Sequence, residues 1–404
     1  MPACRVLTRT PAAVLVTACL VVSAGAAPPQ ASAGQEPSGP QAVSAAQLRV
    51  AIDSLGKLDY DTRTAASRTV RRTPGAQAVP ALLQAVSEHA DGYVRYRALV
   101  LLTGFNDPRT LDAMRESLGS PNDRLRAVAY SFFERHPDPG MAEQLVGKLE
   151  TELAEFVRPM LVRALAAHGD DRRVPPVLVR EAMRGEDFFR SAVIEAIGEH
   201  KGRYAFDALT AIAKLDGPLQ DDAALALGRI GDKRALETLA ELQRTAPQAR
   251  QPTVAAAICL LGVNCESHEA YLVNTLKFAD ENPGFQELLR AAAAGLGSLA
   301  TAGRPSALDA LLDVGIPSRD PTRAPVALAT ATVALRGTST LLPALEKHPK
   351  KAEAIVLLAD GFDMLEEDLE KERFFALVRR TYWASPDSSS ARGLMQTLIG
   401  QLDF

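Results

Sequence analysis

Leu227-Gly228-Arg229-Ile230-Gly231-Asp232-Lys233-Arg234-Ala235-Leu236 closes one apolar helical run and opens another within a few residues. Gly and Asp break the first helix, and Ala235-Leu236 resumes the helical spacing. Ala166-Ala167-His168-Gly169-Asp170-Asp171-Arg172-Arg173-Val174-Pro175 is a second copy of the same turn. Upstream of these turns and between them, Arg63, Arg95, Arg126, Arg158 and Arg190 recur at intervals of 31 or 32 residues. An acid precedes each, at Asp61, Asp91, Asp123, Glu155 and Asp187. The turn recurs in the same register at Thr103–Pro108, Glu134–Pro139, Ala166–Asp171, Gly198–Arg203 and Gly228–Lys233. Two independent columns in one register mark a tandem array.

Each period reads as a pair of helices. Phe189–Gly198 carries Ala192, Val193, Ala196 and Ile197 at helical spacing, and Arg203–Leu215 carries Phe206, Leu209, Ile212 and Ala213. Strand-like alternation is absent. One pair buries its apolar face poorly, whereas stacked pairs share a continuous core. The prediction is an all-α solenoid of nine or ten helical hairpins, an open curved rod roughly 80–100 Å long at about 8–10 Å per unit. Second helices are expected on its concave face, showing Arg115, Glu116, Lys148, Arg180, Glu181, Lys214, Glu237, Glu241 and Lys277. Their signs alternate and form no basic stripe, and net charge is −4, which argues against nucleic acid as partner.

The quoted turns resemble the core of HEAT repeats, especially the short HEAT-like units named after phycobilisome lyases. The resemblance is best over 61–243 and continues with stretched spacing to 347. It implies a curved α-solenoid used mainly as a binding scaffold. Nothing resembling chromophore-lyase chemistry is matched residue by residue.

The first residues read as an address. Arg5 and Arg9 precede the apolar Pro11–Val22 and the small residues Ser23-Ala24-Gly25-Ala26-Ala27, the layout of a secretory signal peptide. Cleavage is expected after Ala26 or Ala27, with Ala33 as the alternative. Val16-Thr17-Ala18-Cys19 is a weak lipobox, because Leu20-Val21-Val22 prolongs the apolar run past it. The domain division is therefore signal peptide 1–27, flexible leader 28–45, repeat solenoid 46–347 and C-terminal capping helices 348–404. No later run is long and apolar enough to span a bilayer.

Candidate sites are few. The arginine column Arg63, Arg95, Arg126, Arg158 and Arg190 is expected to bond the acid column of adjacent units as an inter-repeat ladder. His136, His168 and His200 share one spacing, but turns about 8–10 Å apart cannot bring three nitrogens to ~2.0–2.1 Å from one zinc ion. They are expected as a solvent-facing row. Tyr93, Phe156 and Phe188 start successive first helices, either packed at an edge or forming a protein-binding patch. Gly295-Leu296-Gly297-Ser298-Leu299-Ala300 has the letters of a dinucleotide fingerprint but follows an Ala-rich helix rather than a strand, so it reads as a helix end. Cys259 and Cys265 are the cysteines left after leader removal, and export favours a disulfide across a reversal at Gly262–Asn264.

No catalytic residue, metal or cofactor is assigned. The reading is a non-catalytic protein-binding scaffold of the bacterial cell envelope, periplasmic or extracellular. The bacterial assignment rests on the Ala/Arg-rich composition and the family resemblance. The rivals are an enzyme or cofactor-binding protein with its site in the groove, and a purely structural envelope component. Thiol titration of the unreduced, leader-free protein is expected to find no free thiol; two would remove the Cys259–Cys265 staple.

Overall fold

The computed structural model describes residues 36–404, which form one unit, Glu36–Phe404. The signal peptide, its cleavage sites, Cys19 and leader residues 28–35 lie outside the described residues. α1 (Ala45–Ser54) precedes nine helical pairs, in agreement with the nine or ten expected. The first five are α2 (Tyr60–Arg72) with α3 (Gly75–Glu88), α4 (Gly92–Leu102) with α5 (Arg109–Ser117), α6 (Asp123–Arg135) with α7 (Ala142–Thr151), α8 (Arg158–Ala167) with α9 (Val174–Met183), and α10 (Asp187–Glu199) with α11 (Phe206–Ala213). The next four are α12 (Gln220–Ile230) with α13 (Ala235–Thr245), α14 (Gln251–Leu260) with α15 (Cys265–Glu281), α16 (Gln286–Thr301) with α17 (Pro305–Gly315), and α18 (Arg323–Arg336) with α19 (Thr338–Lys347). α20 (Lys351–Met364), α21 (Asp368–Ala384) and α22 (Ser390–Leu402) follow, and no strand occurs among the described residues.

Short polar side chains start and stop these helices. Asp59, Asp91 and Asn122 cap α2, α4 and α6, accepting backbone N–H bonds at 2.8, 2.8 and 3.0 Å. Each such cap contributes about 1 kcal/mol. In the turn inside a pair, Asp107, Asp171 and Asp232 accept the N–H two residues on and pair with Arg109, Arg173 and Arg234. Gly231 ends α12 in the left-handed conformation, at φ 77°, which glycine adopts without a Cβ clash.

The concave face belongs to the first helices, not to the second helices as expected. Successive first helices pack closely, whereas successive second helices touch sparingly. Small residues permit this. A Cβ on Gly198 would lie 2.8 Å from Ala226 Cα, and one on Gly228 would lie 2.7 Å from Ala257 Cα. Gly297 faces Ala329 and Gly361 faces Ala327 in the same way. Backbones that approach on one side only force the stack to bend toward that side.

The bend closes the solenoid on itself, which replaces the open rod and the end cap expected from sequence. α21 lies against α4 and α6. Arg71 of α2 grips Glu372 of α21 through Nε at 3.0 and 3.1 Å and through its terminal nitrogen at 2.6 Å. Arg97 meets Asp368 at 3.3 Å, Arg135 meets Glu370 at 3.0 Å, and Arg68 pairs with Asp403. Glu36, whose side chain is fully buried, sits between Arg72 and Arg379, each at 2.8 Å. Tyr382 and Trp383 donate to the carbonyls of Glu36 and Pro37 at 3.0 Å each. Residues 36–44, read from composition as flexible leader, are therefore held at the seam; a charge buried between two guanidinium groups outweighs the local Gly/Ser/Pro content.

Two predictions follow from this packing. Gly228→Ala and Gly361→Ala are each expected to destabilise the protein by about 1–3 kcal/mol in urea titration. Gly147→Ala in α7, where nothing stands within 4 Å, is expected to gain up to about 1 kcal/mol. Separately, burial pushes the Asp221 carboxyl up to about 6, with Arg250 opposing and Asp222 adding. The folded state thus holds this proton more tightly than the unfolded chain, so stability falls as pH rises from about 4 through 6. Asp221→Asn is expected to raise the urea midpoint over wild type at pH 8 and to lose that advantage by pH 4.

Candidate functional site

The arginine column links units, though not through the acid column of the neighbour. Arg95 Nε donates to the Val86 carbonyl at 2.7 Å, and Arg190 Nε donates to the Ala182 carbonyl at 3.0 Å. Arg63 reaches the carbonyls of Lys57 and Leu58, and Arg126 reaches Ser120 while also gripping Glu152 at 2.7 Å. Each of these four satisfies carbonyls left open at or beyond the end of the preceding helix, a stronger demand than pairing exposed charges. Arg158 instead stacks over Phe189, 4.1 Å from the ring centroid. Gln220, Gln251 and Arg323 do the same work as the column, donating to carbonyls of Ala213, Leu242 and Gly315 or their neighbours. A search for arginine alone misses the two glutamines; the interval from Arg190 to Gln220 to Gln251 carries the signal.

The histidine row is not uniformly solvent-facing. His168 is buried, with Nδ1 2.7 Å from the Ala164 carbonyl and Nε2 3.1 Å from the backbone of Asp138. It stitches one turn to the previous one. His136 stacks on Phe132 at 4.3 Å, and His200 lies 3.3 Å from Glu134. Cys259 and Cys265 are disulfide-bonded, with Cα atoms 4.2 Å apart across a reversal where Gly262 and Asn264 have positive φ. Gly295 and Gly297 lie within α16 rather than at its end, where Gly295 faces Ala256 and Leu272.

Two surfaces remain. On one edge, the turns between units and the start of α10 expose large apolar groups: Leu153 at 88%, Phe156 at 51%, Phe188 at 72% and Leu215 at 61%. Tyr93, grouped with them in sequence, is half-buried against Tyr96 and Arg124. On the inside, α6, α10, α12, α14, α16 and α18 wall a cavity of about 920 Å³. Its acids and bases largely answer one another. Arg163 lies 3.5 Å from Glu195 and 3.6 Å from Glu367, and Arg336 pairs with Glu199 and, at 3.2 Å, with Glu367. The fields of Glu195 and Glu367 hold Arg163's pKa up although burial opposes them. Among the described residues, no group of three His, Cys, Asp or Glu side chains is placed to hold a metal ion.

Comparison with known proteins bears on the repeats. Residues 48–132 match the HEAT repeats family, and residues 219–245 match the PBS lyase HEAT-like repeat. No curated protein matches the chain. The complex of CpcE and CpcF of phycocyanin lyase from Nostoc sp. PCC7120 is similar at 21% identity and a TM-score of 0.40, over 64% of this chain and 97% of that one. Kap95p, from its complex with RanGDP, is similar at 12% identity and a TM-score of 0.41, over 88% of this chain and 63% of that one. Importin beta gives 13%, 0.41, 88% and 65% in the same order, so this chain spans less than two thirds of either transport protein. The matched stretches, 48–132 and 219–245, lie within the run of helical pairs, so the chain carries HEAT-type repeats at these two places.

Proposed function

We propose that the chain is a non-catalytic protein-binding scaffold, exported to the cell envelope, whose partner docks along the edge formed by the inter-unit turns. The observation that carries this reading is the exposure of large apolar groups in successive units: Leu153 and Phe156, then Phe188, then Leu215. An isolated exposed apolar residue is ordinary, but Phe156 and Phe188 hold the same place in successive units, and Leu153 and Leu215 the same place two units apart, so together they form a strip. Burying one such side chain contributes roughly 1.5–3 kcal/mol, and aromatic anchors dominate protein interfaces. The strip rides on a stack with a continuous core, so little conformational freedom is lost on binding. The cavity among the first helices, by contrast, holds about 920 Å³, too little for a folded partner.

The non-catalytic part is supported by how the polar interior groups are spent. His200 faces Glu134, Arg163 faces Glu195, and Arg336 faces Glu199. These contacts leave those side chains engaged in structure. The export part rests on the amino-terminal pattern in the sequence and on the even pair Cys259 and Cys265.

Capture from an envelope fraction tests the reading. Wild type is expected to retain one stoichiometric protein, and a Leu153→Ala, Phe156→Ala, Phe188→Ala triple variant is expected to lose at least about tenfold in retention. Its helical circular dichroism should be unchanged, since these side chains are exposed. Equal capture by the variant, or none by wild type, ends the proposal.

A further inference from the structure

The inner wall presents an arginine from nearly every first helix, and α21 shows what such arginines take. Wherever α21 or its entry reaches, an acid is seated: Glu372 on Arg71, Asp368 on Arg97, Glu370 on Arg135, and Glu367 on both Arg163 and Arg336. Two arginines lie beyond that reach and line the remaining cavity. Among the described residues, Arg229 of α12 bonds only the Ser298 hydroxyl, at 3.2 Å, and Arg290 of α16 has no ion pair. Arg229 is half-buried, and burial lowers its pKa although Glu195 and Asp222 pull the other way. Asp222 shares this wall, but burial raises its pKa and Ser191 takes its hydrogen bond. Leu225, Leu260 and Leu328 line the same cavity and supply apolar surface to it.

We propose that this end of the cavity is a binding site for a carboxylate carried on an apolar body, held by Arg229, Arg290 and Ser298. Glu195 and Asp222 act on the partly desolvated Arg229 without reaching ion-pair distance, and an incoming anion would supply the charge-assisted hydrogen bonds they do not. The volume, about 920 Å³, falls in the range of small-ligand pockets, and mixed apolar and polar walls are their usual lining. The carboxylate could belong to a free organic acid or to an acidic side chain of a peptide. The chemistry is shared, and the test separates the sources. This site is independent of the exposed apolar edge, so either can fail alone.

Isothermal titration of the whole protein with octanoate, with a peptide copying residues 366–372, and with octylamine as the cationic control tests the proposal. Octanoate or the peptide is expected to bind with a Kd below about 1 mM, octylamine far more weakly. Arg229→Gln with Arg290→Gln is expected to weaken that binding at least about tenfold while leaving helicity intact. Should the double variant fail to fold, Arg290→Gln alone, at an exposed position, carries the same comparison. Binding of octanoate alone assigns a free organic acid, and binding of the peptide alone assigns an acidic protein segment. Silence from both, equal binding of octylamine, or binding unmoved by the variants overturns the proposal.

Discussion

The close approach of consecutive first helices governs the rest of the molecule. Where Gly198 meets Ala226, Gly228 meets Ala257 and Gly361 meets Ala327, no room exists for a Cβ on the glycine. The inner arc is thereby shorter than the outer one, and the difference accumulates with every pair. Bulkier inner residues would straighten the stack. Curvature is therefore encoded in what the sequence leaves out: side-chain volume on one helix face. Packing at interior density makes each such omission count.

Curvature alone does not hold a ring together, because apolar faces at the two ends of a stack need no particular partner. The seam is specified by charge. Glu36, Glu372 and Arg379 are almost wholly buried, and each is matched by an opposite group. Buried pairs contribute little net stability over apolar packing, but breaking one costs about 3–5 kcal/mol. Such contacts reject a slipped closure, in which an acid of α21 would face the wrong rung. The arginine wall and the acidic row thus act as a register for the ring.

Much of the architecture is legible in the sequence. The spacing of Arg63 to Arg190 and the Asp-bearing turns locate the helical pairs, because each column solves a local problem: open carbonyls at a helix end, or an N–H in a turn. What the period does not carry is the relation between distant rungs. Nothing local to Glu36 or Glu372 says that they meet arginines at the other end of the stack. Nor does the period say which helix of a pair lies inside; that is decided where backbones of neighbouring units meet at Gly198, Gly228 and Gly361. The burial of His168 is likewise not local, because it comes from the preceding turn at Asp138. Of the site residues, the arginines and Phe156 and Phe188 stand out by period, whereas Arg229 and Arg290 gain meaning only once α21 is seen to stop short of them.

Arg379 binds Glu36 through Nε and the Phe404 carbonyl through a terminal nitrogen, at 2.8 and 2.7 Å, while Phe404 stacks on Phe375. One guanidinium thus fastens the segment that leads into α1 to the residues that follow α22. A stack of repeats ordinarily frays from its ends, each terminal unit melting with only one neighbour to lose. Tied in this way, the array has no terminal unit, and every rung has two neighbours. Its melting should then resemble that of a single globular body, all rungs surrendering together, rather than a zipper opening tooth by tooth.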